Sequence, residues 1–224
     1  MSRRLPLAQV LLAGLASLSS CQSNDAPGSR SPADLRAPGE VIKEQPLPAT
    51  SQPDTSLPAA FTRFTDALRQ ADTTALNGLI EPAHGLWILE QPGALPLLTR
   101  VGDIRGFRRE NQQRPFFSLA AELMPCLRPE PVDTLPRATC DGRPGNEAGF
   151  ARLGCLLAPH RDAGLNGIWP HATLRGGTVA QGQAALARIS HTVLQTRSGF
   201  RFHWARTAQG WRLVLVDLRI PCSA

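Results

Sequence analysis

Apolar residues at helical spacing open the folded part of the chain. Phe61, Phe64 and Leu68 recur at intervals of three and four residues, so a helix over Leu57–Gln70 would carry them on one face. Ser56 precedes this run and is a residue type that caps helix N-termini. The pattern therefore predicts an amphipathic helix that packs its apolar face onto the rest of the domain.

A second helix and a strand are predicted directly after it. A short helix is expected to begin at Asp72 or Thr73, and a Glu-Pro pair ends it because the residue before a proline disfavours helical backbone. Gly85–Leu89 then forms an apolar strand, which the turn signal Gln-Pro-Gly at 91–93 closes.

The C-terminal end alternates between apolar and polar residues in three segments. These are Ala187–Thr196, Phe200–Arg206 and Trp211–Ile220, and glycine-containing turns separate them. This spacing predicts a three-stranded antiparallel meander.

The register of the last hairpin decides which side chains share a face. If residues whose numbers sum to about 417 pair with one another, Asp217 lies on the same face as Phe202 and Trp204. Arg201 and His203 then point to the opposite face.

The sequence pattern in the middle of the chain predicts fewer helices and strands than the pattern at its two ends. Seven prolines between residues 125 and 170 indicate long irregular connections, with helical patches at Phe116–Leu123 and near Gly149–Leu157. Helices at the start and strands at the end predict an α+β domain over residues 57–224, in which N-terminal helices pack on a curved antiparallel sheet.

Residues 1–20 have the layout of a secretory signal: a short basic start, an apolar run and a small-residue end. The apolar run Leu5–Leu18 is shorter than the about 20 residues that cross a bilayer. An export signal is therefore favoured over a permanent transmembrane anchor.

The signal ends in Leu18-Ser19-Ser20-Cys21, which resembles the lipobox of bacterial lipoproteins. The resemblance implies that Cys21 takes a diacylglyceryl group and becomes the first residue after cleavage, so that lipid holds the protein on a membrane. The alternative is an ordinary signal peptide with a chance cysteine. In the sorting rule of such lipoproteins, aspartate after the cysteine favours inner-membrane retention. Gln22 at that position implies the outer membrane, facing the periplasm, with surface display left open.

Residues 21–56 are predicted to be a disordered tether. Prolines recur among small and polar residues, and few large apolar side chains are available to offset the entropy lost on folding. Such a stretch is semi-extended, so it either spaces the domain from the membrane or is a leader of no selected length.

The chain carries a formal net charge of +6 at pH 7, and its only lysine is Lys43 in the tether. Scattered arginines without a nucleic-acid-binding motif exclude nucleic acid as the expected partner. The membrane is the partner implied by the lipid, and any protein or small-molecule partner stays open. The cluster Arg105, Arg108 and Arg109 is either an anion site or a solvated charged turn.

Four cysteines remain once Cys21 carries lipid. An even number in an exported chain predicts two disulfides, for which three connectivities are possible. Our hypothesis pairs Cys140 with Cys222, which would hold the C-terminal end, and Cys126 with Cys155. Structural zinc is the rival use, but no two of these cysteines have the close spacing that zinc sites favour.

Parts of the domain resemble known proteins. The opening apolar pattern from Phe61 to Leu79 and the closing strand Gly210–Asp217 are similar to the first helices and the final strand of the NTF2-like cone fold. The segments 80–93 and 221–224 also resemble a group of uncharacterised bacterial exported proteins. The resemblance implies a fold, and a fold does not assign a function.

No catalytic motif, cofactor motif or metal-binding pattern is present. We therefore expect a non-catalytic, lipid-anchored envelope protein with a binding or structural role. The alternative is an NTF2-like enzyme or small-molecule carrier with a cone pocket, in which Asp217 could act as general base. The favoured interpretation of Asp217 is a strand-end carboxylate paired with an arginine or with backbone amides. His203 is expected to be a surface residue or a satisfied half-buried one, and not a catalyst.

Overall fold

The structure is a computed structural model that describes residues 54–126, 128–141, 149–161 and 165–222. The predicted signal and the tether up to residue 53 lie outside the described residues, as does the lipidation site Cys21. No helix within the described ranges is long and apolar enough to cross a membrane.

Two helices lie where the sequence predicts them. Helix α1 covers Leu57–Gln70 and begins at Ser56, whose hydroxyl accepts a hydrogen bond from the backbone N–H of Ala59. Helix α2 covers Thr73–Asn77 and begins at Asp72, whose carboxylate caps its first turn. The predictions for this part of the chain are confirmed.

Helix α3, Val179–Leu186, is absent from the sequence-based prediction. Its composition is mostly alanine, glutamine and glycine, so it shows little helical periodicity. Its start is nevertheless encoded by a capping box, in which Thr178 and Gln181 each satisfy the other's backbone N–H.

The described strands form one eight-stranded sheet and a separate two-stranded ribbon. In chain order the strands are β1 Leu86–Glu90, β2 Leu97–Val101, β3 Glu130–Pro131, β4 Ala138–Thr139, β5 Gly149–Phe150, β6 Cys155–Pro159, β7 Thr173–Arg175, β8 His191–Gln195, β9 Arg201–Thr207 and β10 Gly210–Asp217. The large sheet has the order β3-β6-β8-β9-β10-β1-β2-β7, and β4 pairs with β5.

Antiparallel pairing dominates the centre of the large sheet. Strands β6, β8, β9 and β10 pair antiparallel in sequence, which confirms the predicted C-terminal meander. Strand β1 lies parallel to β10 and antiparallel to β2. The protein is thus an α+β domain with a large, mostly antiparallel sheet and a few helices.

The helical patch expected near Gly149–Leu157 is wrong. The structure forms β5 and β6 there, and Leu156, Leu157 and Ala158 are buried in the sheet. A short apolar run fits a buried strand as well as a helix, so periodicity alone could not decide. The other patch forms a 3-10 helix over Phe116–Ala121, and a further 3-10 turn covers Ile104–Gly106.

The predicted register of the last hairpin is correct before a bulge in β10 and wrong by one residue after it. Pairing from Gly210 to Leu213 follows the predicted sum, and the register then shifts by one residue between Leu213 and Leu215. Beyond the shift, Asp217 pairs with Arg201. Because one extra residue reverses the alternation of faces, Asp217 lies on the Arg201 face and not on the aromatic face that the sequence predicted.

Both faces of the sheet are covered. On one face, Phe61 and Phe64 of α1 pack against Phe202 and Trp204 of β9, with ring centroids 5.0–6.4 Å apart. On the other face, α3 and the segment before it cover Trp87, whose ring meets that of Trp169 edge to face at 6.4 Å.

The four described cysteines are paired in two disulfides, which confirms that the chain uses them as bridges. Cys126 is joined to Cys155 of β6, and Cys140 is joined to Cys222 near the C-terminal end. These are the pairs of the sequence-based hypothesis. The second bridge closes a sequence separation of 82 residues, so it restricts the unfolded chain over nearly half of the domain.

We expect Gly182→Ala to destabilise the domain. A Cβ on Gly182 would overlap the Trp169 ring, which is packed in the core on the α3 face. Overpacking costs about 1–3 kcal/mol, and alanine is favoured over glycine inside a helix by roughly 1 kcal/mol. Because the added Cβ would overlap the ring, we expect a cost in the upper part of that range and a net loss of about 1–2 kcal/mol. Urea unfolding measures the change.

Gly102→Ala is the matched control, because a Cβ on Gly102 meets no atom within 4 Å. It should leave the free energy of unfolding within about 0.5 kcal/mol of the parent value. Equal stability of the two variants would show that α3 does not pack on Trp169 as described.

Candidate functional site

A small cleft on the face away from α1 is the candidate functional site. We call it the His203 cleft; its volume is about 160 Å³. Strands β6, β8 and β9 form its base, and the segments 134–137 and 159–161 surround it. Its lining residues are Thr134, Leu135, Pro136, Arg137, Pro159, His160, Arg161, Thr192, Arg201 and His203.

A chain of three side chains runs through the base of the cleft. Thr192 Oγ1 lies 2.9 Å from His203 Nδ1 and 3.1 Å from His160 Nδ1. Strand pairing sets this geometry, because Thr192 lies opposite His203 in the β8–β9 register. The two imidazole rings meet edge to face with centroids 5.4 Å apart.

One hydroxyl proton couples the two rings. Thr192 can donate to only one imidazole, so the other must donate its own Nδ1–H to the threonine oxygen. If Thr192 donates to His203, the remaining proton of a neutral His203 sits on Nε2. If Thr192 donates to His160, Nε2 of His203 is a bare acceptor. A ligand in the cleft can therefore select between two directions of the hydrogen bonds that join His160, Thr192 and His203.

His203 is buried, with 1% of its surface exposed, and its Nε2 has no hydrogen-bond partner among the described residues. Burial lowers the pKa of His203 well below its ordinary value of 6.5, and the charges of His160, Arg201 and Arg219 lower it further. The ring is consequently neutral at physiological pH.

Three arginines make the cleft electropositive. Arg201 is partly buried, whereas Arg137 and Arg161 are exposed. Burial lowers the pKa of Arg201, the negative charge of Asp217 raises it, and the positive charge of Arg219 lowers it further. The guanidinium nevertheless stays charged. No acidic side chain is among the lining residues of the described part of the chain.

Asp217 does not line this cleft. Its carboxylate accepts hydrogen bonds from Arg219 Nε at 2.9 Å and from Arg219 Nη2 at 2.7 Å, and also from the backbone N–H of Arg219. Asp217 is 1% exposed and lies at the end of β10. These contacts are those of a strand-end carboxylate paired with an arginine.

The three clustered arginines of the sequence do not form a common site. Arg105 forms an ion pair with Asp103, and Arg109 forms one with Glu122. Arg108 donates to backbone carbonyls of its own turn. With these partners, the cluster serves the local structure.

Metal ligation finds no support in the described residues. No group of three or more histidine, cysteine, aspartate or glutamate side chains is close enough together to hold a metal ion there. The four described cysteines are consumed in disulfides, which removes the zinc alternative for them.

No protein-family model matches this chain, and no curated protein matches it in sequence. The geometry of the cleft is therefore the basis of the functional argument.

The cleft was not predicted from the sequence. His203 was predicted to be a surface residue or a satisfied half-buried one, whereas β9 is covered on both faces and the ring is buried. The partners Thr192 and His160 lie 11 and 43 positions earlier in the chain, so only the strand pairing brings them together. A polar residue between Phe202 and Trp204 was the one local signal.

We expect the stability of the protein to fall with pH below about 6.5 through His203. The unfolded chain binds a proton there while the folded chain does not, so protonation favours unfolding from pH 6.5 down to the lower folded pKa. Relative to His203→Gln, the parent should lose up to about 1.4 kcal/mol per pH unit in this window. Urea unfolding at several pH values measures the difference.

His171→Gln is the control, because it removes an exposed histidine elsewhere in the domain. It should keep the pH slope of the parent. If His203→Gln keeps that slope as well, His203 is not a buried neutral ring.

Proposed function

We propose that this chain is a lipid-anchored lipoprotein of the bacterial cell envelope whose domain binds a small polar ligand in the His203 cleft. The signal layout of residues 1–20 and the lipobox ending in Cys21 support the anchor, and Gln22 supports an outer-membrane, periplasm-facing location. The observation that carries the binding role is the buried, unsatisfied Nε2 of His203 beside an open cleft.

An unsatisfied buried polar atom is costly. Leaving a donor or acceptor without a partner costs about 1–3 kcal/mol, so folded proteins pair nearly all of them. The imidazole is already held on its other nitrogen by Thr192. A ligand that supplies one polar atom to His203 would recover this energy, which gives the cleft a built-in preference for an occupied state.

The proposed role is binding without catalysis. The hydroxyl of Thr192 is already engaged by both histidines, at 2.9 Å and 3.1 Å, so we assign it to the hydrogen-bonded chain and not to a nucleophile. The lining also lacks a carboxylate that could orient a histidine as general base.

We propose an NTF2-like cone for the domain. The support is the packing of α1 and α2 on one face of the sheet, with the N-terminal hairpin β1–β2 placed beside the last strand. The space between α1 and the sheet is filled by aromatic side chains such as Phe64 and Trp204. The ligand is therefore placed on the opposite face, in the His203 cleft.

The alternative function is an NTF2-like enzyme or carrier with Asp217 in a cone pocket. The contacts of Asp217 support it poorly, because Arg219 occupies both carboxylate oxygens. The bulge also turns Asp217 away from the aromatic face on which α1 packs.

The anchor is tested by the intact mass of the protein purified from bacterial membranes. We expect cleavage before Cys21 and added acyl chains, because two or more chains are needed for stable anchoring. Alkylation should modify the remaining cysteines only after reduction. An unlipidated mass, or alkylation without reduction, would contradict this part of the proposal.

Binding is tested by thermal unfolding with a panel of small anionic, cationic and neutral polar molecules. A ligand that binds only the folded protein raises the Tm, by an amount set by about RT ln(1 + [L]/Kd). Leu135→Trp should abolish the shift, because Leu135 lines the cleft and a larger side chain would fill it.

Leu153→Trp is the matched control, since Leu153 is 76% exposed and does not line the cleft. It should keep the shift of the parent. If no panel member raises the Tm, or if Leu135→Trp responds as the parent does, the cleft is not a binding site.

A further inference from the structure

We infer that the ligand of the His203 cleft is a small oxyanion, held by Arg201, Arg137 and Arg161 together with His203. This inference rests on the proposed function, because it names the class of ligand bound at that same site. Carboxylate, phosphate and sulfate share the required chemistry: a negative charge spread over oxygen atoms that accept hydrogen bonds from guanidinium groups.

Uncompensated charge is the first argument. Some arginines of the described residues are neutralised by a carboxylate, as Arg109 is by Glu122 and Arg188 is by Glu81. Within the described residues, Arg137, Arg161 and Arg201 form no ion pair closer than 4.0 Å. Three like charges around one concave space create a positive potential that an anion would neutralise.

The partner that could have neutralised Arg201 is already engaged. Asp217 lies opposite Arg201 in the β9–β10 register, but its two oxygens bind Arg219 at 2.7–2.9 Å. Arg201 is also partly buried, which makes its charge costly to leave alone and strengthens its attraction to an anion in the cleft.

Size limits the ligand. The cleft volume of about 160 Å³ lies below the 300–1,000 Å³ that is typical of pockets for larger organic ligands. A single oxyanion or a short carboxylate fits this space, whereas a nucleotide does not.

The histidine chain completes the site. An anion offers only acceptors, so it favours the arrangement in which His203 carries its proton on Nε2. Thr192 then donates to His203 Nδ1, and His160 donates its Nδ1–H to Thr192, which uses both observed contacts. The otherwise unsatisfied Nε2–H becomes a neutral donor to the anion.

The test compares acetate with acetamide, its neutral counterpart of nearly equal size, and adds inorganic phosphate and sulfate as further arms. Binding to the full-length protein is measured by calorimetry and Tm shift at constant ionic strength, with chloride as the reference salt. We expect at least one oxyanion to bind saturably, and acetamide to bind at least tenfold more weakly than acetate if acetate is that ion. The strongest arm identifies whether the site prefers a planar or a tetrahedral oxyanion.

Arginine variants test which side chains hold the anion. Arg201→Gln should weaken binding about tenfold or more, as expected when a charge-assisted hydrogen bond of about 1.5–3 kcal/mol is lost. Arg137→Gln and Arg161→Gln alter exposed residues, so they are expected to fold normally and to weaken binding by a smaller factor. Arg197→Gln removes an exposed arginine outside the cleft and should leave the affinity unchanged.

The outcomes separate this inference from the proposed function. If neutral molecules bind in the cleft as well as oxyanions do, or if all three cleft variants match Arg197→Gln, the oxyanion inference is overturned and the binding role stands. If no tested molecule binds, and Leu135→Trp has the same Tm response to these molecules as the parent, both the binding role of the cleft and the oxyanion inference are overturned. Charge-selective binding that Arg201→Gln or Arg161→Gln weakens supports both.

Discussion

The burial of strand β9 on both of its faces is the constraint on which the rest of this structure depends. Phe202 and Trp204 face α1 and form the aromatic core, so the intervening His203 must face the other way and is buried there. A buried imidazole avoids charge and requires hydrogen bonds, and Thr192 on the neighbouring strand provides one. The polar chain of the cleft is thus a consequence of where the aromatic core lies.

The bulge in β10 places the carboxylate of Asp217 on the same face of the sheet as His203 and Arg201. Without the extra residue, the carboxylate of Asp217 would have been placed among Phe202 and Trp204, where desolvation would not be compensated. With it, Asp217 comes close to Arg219 and lies opposite Arg201. A register shift of one residue therefore keeps the charged side chains out of the aromatic core. Because the carboxylate of Asp217 binds Arg219, Arg201 does not form an ion pair with it.

Local signals in the sequence predicted local structure well and tertiary geometry poorly. The N-cap and apolar spacing of α1 and the alternation of the C-terminal strands were sufficient, because each is set within a few residues. The bulge was not predictable from alternation, since Leu213–Val216 is apolar at every position and either register keeps apolar residues on both faces. The pairing of β8 with β9 belonged to the predicted meander, whereas no local pattern encodes the pairing of β6 with β8, which brings His160 to the cleft.

The arginine content of the domain suits the proposed ligand chemistry. Beyond Lys43 every basic side chain other than histidine is arginine, whose guanidinium is less strongly hydrated than an ammonium group and presents paired donors that match two oxygens at once. Burial lowers the pKa of His203, so that the ring is neutral at physiological pH. For the proposed oxyanion ligand, a neutral imidazole buried among guanidinium groups would supply a hydrogen-bond donor without adding a further charge to the site.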